Sequence, residues 1–261
     1  MNDEIGVDFS GMNLQDYGPT DRSHPFDDIL DVLGPMDFVE PVSQSEAERY
    51  RGRLPDGLLD FWVKNGRGAL LQGYAWLCDP ELLRPVLEAV FEGDPEYSAD
   101  EFDCYIYAYD GRIQAWSAKN QACEIDLTAF DNATVDVHGP EPLPDVQFGT
   151  MTPDFFVAHY LRNRGYNLAR DMDEEYTDYH LFTSASNRLG RLEPGEIFGF
   201  FPSRQMGGEG YPEDMRKVKI VEHLLFHAQL DRATLIGWEP IPDGGGLRRP
   251  VPIRKVGQQG E

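Results

Sequence analysis

Two histidines four residues apart, His223 and His227, come closest in this sequence to the spacing of a chemical site. On a helix this spacing puts both imidazoles on one face, where two ligands of a zinc ion would lie. The segment lacks the HExxH order that would add a general base beside the ligands. We therefore expect His223 to be a core or boundary histidine. A hydrolase that uses both histidines with a carboxylate is the least favoured alternative.

The other reactive side chains form no catalytic motif. Ser203 precedes a glycine pair without the flanks of a nucleophile elbow, and Glu196 is a candidate buried acid without a partner in its segment. A run of carboxylates falls where a helix is expected to start, and acids suit that end of the helix dipole: Asp171, Asp173, Glu174 and Glu175. No phosphate loop or dinucleotide fingerprint occurs. We predict that the protein is not an enzyme and binds no cofactor and no metal.

The histidine pair belongs to a longer stretch, Glu193 to Leu230, that indicates a strand, a glycine turn and a helix. An aromatic run with β propensity precedes Gly207-Gly208, which permits a tight turn or a close backbone approach. From Pro212 the apolar spacing predicts a helix with Val218, Val221, Leu224, Leu225 and Leu230 inward. We expect Phe198, Phe200, Leu224 and Leu225 to form the core here. The residues of a possible pocket are Glu196, Gly199, Phe200, Gly207, Gly208 and His223.

The charge is strongly negative and unevenly distributed. The chain of 261 residues has a formal net charge of −23, from 46 acids and 23 bases. Residues 1–145 hold 30 acids and 9 bases, whereas residues 146–261 hold 16 acids and 14 bases. Such a surface repels nucleic acid and anionic lipid and attracts basic proteins. We therefore predict a basic protein partner, with no direct contact to nucleic acid or membrane.

One segment concentrates this charge. Residues 92–103, EGDPEYSADEFD, contain six acids and no base, and their glycine, proline and serine indicate a loop. We predict that this acidic loop contacts the partner through Asp94, Glu96, Asp100, Glu101 and Asp103.

Compartment signals point to the cytoplasm. No apolar run approaches the length of a membrane helix, and the N-terminus MNDEIGVDFSGMN has acids where a secretory signal has bases. Cys78, Cys104 and Cys123 are odd in number and lack CxxC spacing, which favours reduced core residues.

The order of elements predicts an α+β fold in which N-terminal helices pack on an antiparallel sheet, followed by a smaller C-terminal α/β unit. The strongest hairpin signal is Asp110-Gly111 between two alternating runs. Thr152 and Pro153 indicate the start of a helix. The proline-rich residues 139–149 form the expected hinge. We therefore predict an acidic domain over 1–145, a second domain over 146–240 and a flexible tail over 241–261.

Two sets of segments resemble known domains. GEIFGFFPSRQMGG and VEHLLFHAQL resemble the C-terminal domain of type VI secretion immunity proteins that protect bacteria from DNase toxins. GPTDRSHPFDDIL, ERYRGRLPDGLLDFWVKNGRG and YAWLCDPELLRPVLEAVFEGD resemble the N-terminal domain of the same proteins, named for a likeness to the GAD domain of aspartyl-tRNA synthetases. Residues 55–68 also resemble the immunity superfamily of the yeast cell-wall regulator Smi1.

The resemblance covers residues 17–240 and implies an immunity protein that neutralises a cognate DNase, a basic nuclease effector, through a protein–protein interface. The alternative is a non-catalytic regulatory module that binds a small molecule or peptide beside the glycine turn.

Overall fold

The computed structural model describes residues 24–129, 132–138, 152–170, 177–242 and 248–257. The helices in these ranges are α1 Ile29–Leu33, α2 Gln44–Ala47, α3 Asp56–Asn65, α4 Arg84–Phe91, α5 Pro153–Arg170, α6 Asp178–Leu189 and α7 Ile220–Leu230. The strands are β1 Asp37–Glu40, β2 Arg67–Leu70, β3 Ala75–Leu77, β4 Asp103–Ala108, β5 Ile113–Ser117, β6 Gln121–Asp126, β7 Thr134–His138, β8 Glu196–Phe200, β9 Met215–Lys219, β10 Thr234–Pro240 and β11 Arg248–Lys255.

Nine of these strands form one sheet in the order β1-β2-β3-β4-β5-β6-β7-β10-β11. Neighbours are antiparallel, except that β10 runs parallel to β7. The predicted hairpin at Asp110-Gly111 joins β4 to β5, and Gly111 has the positive φ of 95° that glycine adopts freely. The remaining strands, β8 and β9, form a separate antiparallel pair.

The predicted α+β class is confirmed, but the predicted arrangement is wrong in part. The three longest helices, α5 to α7, lie in the second half of the chain. The first-half helices are short because Gly34 and Gly66 end α1 and α3 in conformations that do not continue a helix. The C-terminal strands β10 and β11 extend the sheet of the first half, so they do not form a sheet of their own.

Residues 241–261 were expected to form a flexible tail. In the structure, residues 248–255 of this segment form strand β11, which pairs with β10. Pro250 and Pro252 lie opposite Trp238 and Ile236 on this last strand of the sheet. Proline lacks an N–H, so it is tolerated at a sheet edge where only one side is paired. The expected hinge, residues 139–149, lies outside the described residues, and the domain boundary at 145 stays a prediction.

The β8–β9 pair is fixed to the large sheet by specific bonds. The Phe198 amide donates to the Tyr109 carbonyl at 2.7 Å, and the Gly195 amide donates to the Tyr107 hydroxyl at 3.1 Å. Phe198 and Phe182 pack together, and Phe182 also contacts Tyr109. One continuous core therefore connects strand β8 with the large sheet.

The three cysteines are buried free thiols, as predicted. Burial raises the pKa of Cys78 to about 12, so this thiol is protonated and unreactive at neutral pH. Within the described ranges, no helix combines the length and apolar character needed to cross a membrane.

Candidate functional site

The glycine turn after β8 is required by backbone geometry. Gly207 has φ 86°, in the left-handed region that glycine favours. A Cβ at Gly208 would lie 2.2 Å from the carbonyl oxygen of Pro202, which a real side chain does not tolerate. Glycine is therefore required at both positions by the backbone conformation of the turn. The predicted pocket role of the two glycines stays a prediction.

Strand β8 carries three of the predicted pocket residues, Glu196, Gly199 and Phe200. Phe200 is buried, and the Arg204 guanidinium lies 3.9 Å from its ring centroid. Glu196 forms an ion pair with Lys219 at 3.1 Å and accepts a hydrogen bond from the Glu193 amide. Burial opposes ionisation of Glu196, but these two contacts outweigh it and lower its pKa. The partner of Glu196, Lys219, lies on β9, where the apolar spacing predicted a helix.

Helix α7 begins at Ile220, later than predicted, because residues 215–219 pair with β8 as strand β9. The buried residues of α7 are Ile220, His223, Leu224 and His227. The predicted inward face is therefore wrong in part: Leu224 is buried, Val218, Val221 and Leu225 are half-buried, and Leu230 is exposed.

Both histidines lie inside the protein and against each other. Their ring centroids are 4.6 Å apart in an edge-on arrangement. The His223 ring fills the space beside Gly199, where a Cβ would lie 2.6 Å from Nε2. His227 Nδ1 lies 3.2 Å from the amide oxygen of Gln205, whose nitrogen donates to the Leu127 carbonyl. The pair therefore joins α7 to β8 and to the loop that follows it.

The environment keeps the histidines neutral. Burial, and then the neighbouring His227, lowers the pKa of His223 to about 4, and burial also lowers the pKa of His227. Since Gln205 Oε1 is an acceptor, His227 carries its proton on Nδ1. Its partner is thus an amide and not the carboxylate that the hydrolase alternative requires. Among the described residues, no group of three or more His, Cys, Asp or Glu is arranged to hold a metal ion.

The acidic loop is tied to the rest of the protein by ion pairs. The Asp94 side chain is fully buried and accepts bonds from Arg254 on β11 at 2.5 and 3.0 Å. It also accepts from the amides of Glu96, Tyr97 and Gly257. Burial disfavours the charge, but these donors outweigh it and hold the Asp94 pKa well below its usual range.

The other loop acids are mostly paired as well. Asp103 is 2% exposed and binds Arg53 at 2.5 Å and Arg84 at 3.0 Å. Glu101 pairs with Lys119, and Glu96 pairs with Arg254. Asp100 is exposed.

Asp94 and Asp103 are therefore buried anchors of the loop and not free surface carboxylates. Local composition misled the prediction because the bases come from distant parts of the chain. The role of the loop in partner binding stays a prediction.

Two family models match parts of the chain. Residues 24–129 match the model of the GAD-like domain, and residues 164–231 match that of the T6SS immunity protein Tdi1, C-terminal. The two matches support a type VI secretion immunity-type protein. The second match contains β8, the glycine turn and both histidines of α7, so it covers the C-terminal segments on which the resemblance rests.

A solved structure shares the fold. The crystal structure of Atu4351 from Agrobacterium tumefaciens superposes with a TM-score of 0.70 at 19% identity, over 90% of this chain and 100% of that chain. At this identity the likeness concerns the fold alone. No curated protein sequence matches the chain.

The functional residues that the sequence patterns missed are the cations that pair with these acids. Arg53, Arg84 and Arg254 anchor the acidic loop, and Arg112 pairs with Asp178 at the start of α6. A scattered arginine carries no periodic signal.

Proposed function

We propose that this chain is an immunity protein that binds and neutralises a cognate DNase toxin of a type VI secretion system. The observation that carries the proposal is the match of residues 164–231 to the immunity domain. That stretch is built as a packed scaffold: its glycines serve the backbone, and its histidine pair, His223 and His227, is buried with lowered pKa values. A non-catalytic, protein-binding role accounts for such a domain better than hydrolysis does.

The charge supports a basic nuclease as the partner. Residues 1–145 hold 30 acids and 9 bases. A DNA-cleaving enzyme carries lysines and arginines for phosphates, and an acidic protein competes with DNA for that surface. Inhibition then follows from occupying the active site or from keeping DNA out of the binding groove. The cytoplasm is where such a protein meets an incoming toxin.

Survival of cells tests this proposal. The protein encoded by the adjacent gene is the candidate toxin; it is expressed in a sensitive host with and without this chain, and colony counts and chromosomal DNA integrity are measured. When the candidate toxin is expressed without this chain, we expect cell death and DNA degradation. When both proteins are expressed, we expect survival with intact DNA. An unrelated protein of similar negative charge is the control. Equal killing with and without the chain would contradict the proposal and favour a regulatory module.

A further inference from the structure

A groove of about 510 Å³ lies among the residues around α1, along α3 from end to end, and at the first turn of α5. Its apolar lining comes from Phe26 and Phe61, both buried, and from the half-buried Leu30. The rings of Phe26 and Phe61 pack against each other at a tilt, with centroids 5.8 Å apart, so core packing fixes this wall. The volume lies in the range of sites that receive a ligand or a few side chains.

Carboxylates surround this apolar lining. Asp27 and Asp31 come from the α1 region, Asp56 and Asp60 from α3, and Asp154 from α5. Lys64 is the single lysine or arginine in the lining, all of which lies within the described residues. The groove is therefore an apolar surface with a strongly negative rim.

Part of this negative charge is uncompensated. Arg51 pairs with Asp56 at 2.9 Å and with Asp60 at 3.5 Å. Asp27 and Asp31 are exposed, and neither forms an ion pair within the part of the chain that the structure describes. In this respect they differ from Asp94 and Asp103 of the acidic loop, whose charges are already matched by arginines.

Asp154 adds to the imbalance. Its carboxylate accepts a hydrogen bond from the Gly57 amide at the start of α3, at 2.7 Å. Burial, and then the charges of Asp56 and Asp60, raises the pKa of Asp154. The neighbouring carboxylates thus repel one another, and a cation entering the groove would relieve that repulsion.

We infer that this groove, and not the acidic loop, receives arginine or lysine side chains of the basic partner protein. The occupant follows from charge complementarity: the rim matches the cationic head group. Phe26, Leu30 and Phe61 match the aliphatic stem, because long basic side chains bury their methylenes against apolar surface. This inference rests on the proposed function and assigns the docking surface for it.

Paired variants of the full chain test the groove. Asp27→Asn with Asp31→Asn removes two unpaired rim charges. Glu88→Gln with Glu92→Gln removes two exposed charges on and beside α4, which do not line the groove. Association with the purified protein of the adjacent gene is measured at 50 and 300 mM NaCl. We expect the groove variant to associate about tenfold more slowly at low salt and to lose part of its salt dependence, with the α4 variant close to wild type in both respects.

The outcomes separate the two proposals. If the wild type binds and both variants bind alike, the groove assignment is wrong while the proposed function stands. If the wild type shows no binding, the proposed function fails and the groove assignment fails with it.

Hydrogen exchange on the wild-type complex gives an answer that does not depend on a variant folding. The groove assignment requires that amides of α1 and the first turn of α3 gain protection on binding, more than those of residues 92–103. The reverse pattern would overturn it.

Discussion

At the scale of single residues, the contact between Gly199 and His223 explains why the motif needs a glycine in the middle of a strand. A methyl group at position 199 would overlap the imidazole. We expect Gly199→Ala to destabilise the protein by about 1–3 kcal/mol, the usual cost of overpacking. The same substitution in a His223→Ala background should cost clearly less, because the ring is gone. Urea denaturation of the four proteins measures this coupling, and an equal cost in both backgrounds would show that the contact has no energetic weight.

The neighbouring phenylalanines of β8 and its turn form a matched pair. Phe200 is 4% exposed and Phe201 is 46% exposed. We expect Phe200→Ala to lower the free energy of unfolding by about 3–5 kcal/mol, whereas Phe201→Ala should cost about 1 kcal/mol or less. Thermal and denaturant melts compare the two. Similar losses for both variants would be inconsistent with the described packing of this strand.

At the scale of elements, Asp94 and Arg254 fasten strand β11 to the loop after α4. Asp94→Asn removes the charge that this buried site stabilises, and we expect a loss of about 2–3 kcal/mol at neutral pH. Amides of residues 248–257 should then exchange faster. Glu92→Gln, at an exposed position two residues earlier, is the control and should change little.

The pH dependence follows from the direction of the Asp94 shift. Its folded pKa is held below the unfolded value near ~3.9, so its contribution is present above that pH. The contribution is lost as pH falls through the folded pKa. Wild type and Asp94→Asn should therefore differ most at neutral pH and converge below about pH 4. A difference that is constant from pH 7 to pH 3 would rule out this ionisation as its source.

The elements that could be predicted are those with a strong local signal. Asp110-Gly111 marked the hairpin, and at the start of α5 the Thr152 hydroxyl accepts from the Phe155 amide, as a cap does. Strands β1, β9 and β11 could not be predicted, because each takes its structure from a neighbouring strand. At the candidate site, the turn at Gly207-Gly208 and the core position of His223 could be predicted from the sequence. The ion pairs between distant residues and the groove were not.

At the scale of the whole molecule, not all of the net negative charge is free to bind a partner. Internal ion pairs engage Asp94, Glu96, Glu101 and Asp103, so neutralising the acidic loop would disturb the fold as well as the surface. Long-range steering still depends on the total charge of −23. We expect the association rate constant with the protein of the adjacent gene to fall by at least about tenfold between 50 and 300 mM NaCl. Equal rates at both salt concentrations would exclude electrostatic steering.

The central claim is that this chain neutralises a DNase by binding it, and DNA cleavage measures that claim most directly. The purified protein of the adjacent gene is incubated with plasmid DNA while this chain is added in increasing amounts. We expect cleavage to stop once the chain is in slight excess over the nuclease, and the Phe200→Ala variant to protect less well under conditions where it unfolds. Undiminished cleavage at a large excess of folded wild-type chain would contradict the account.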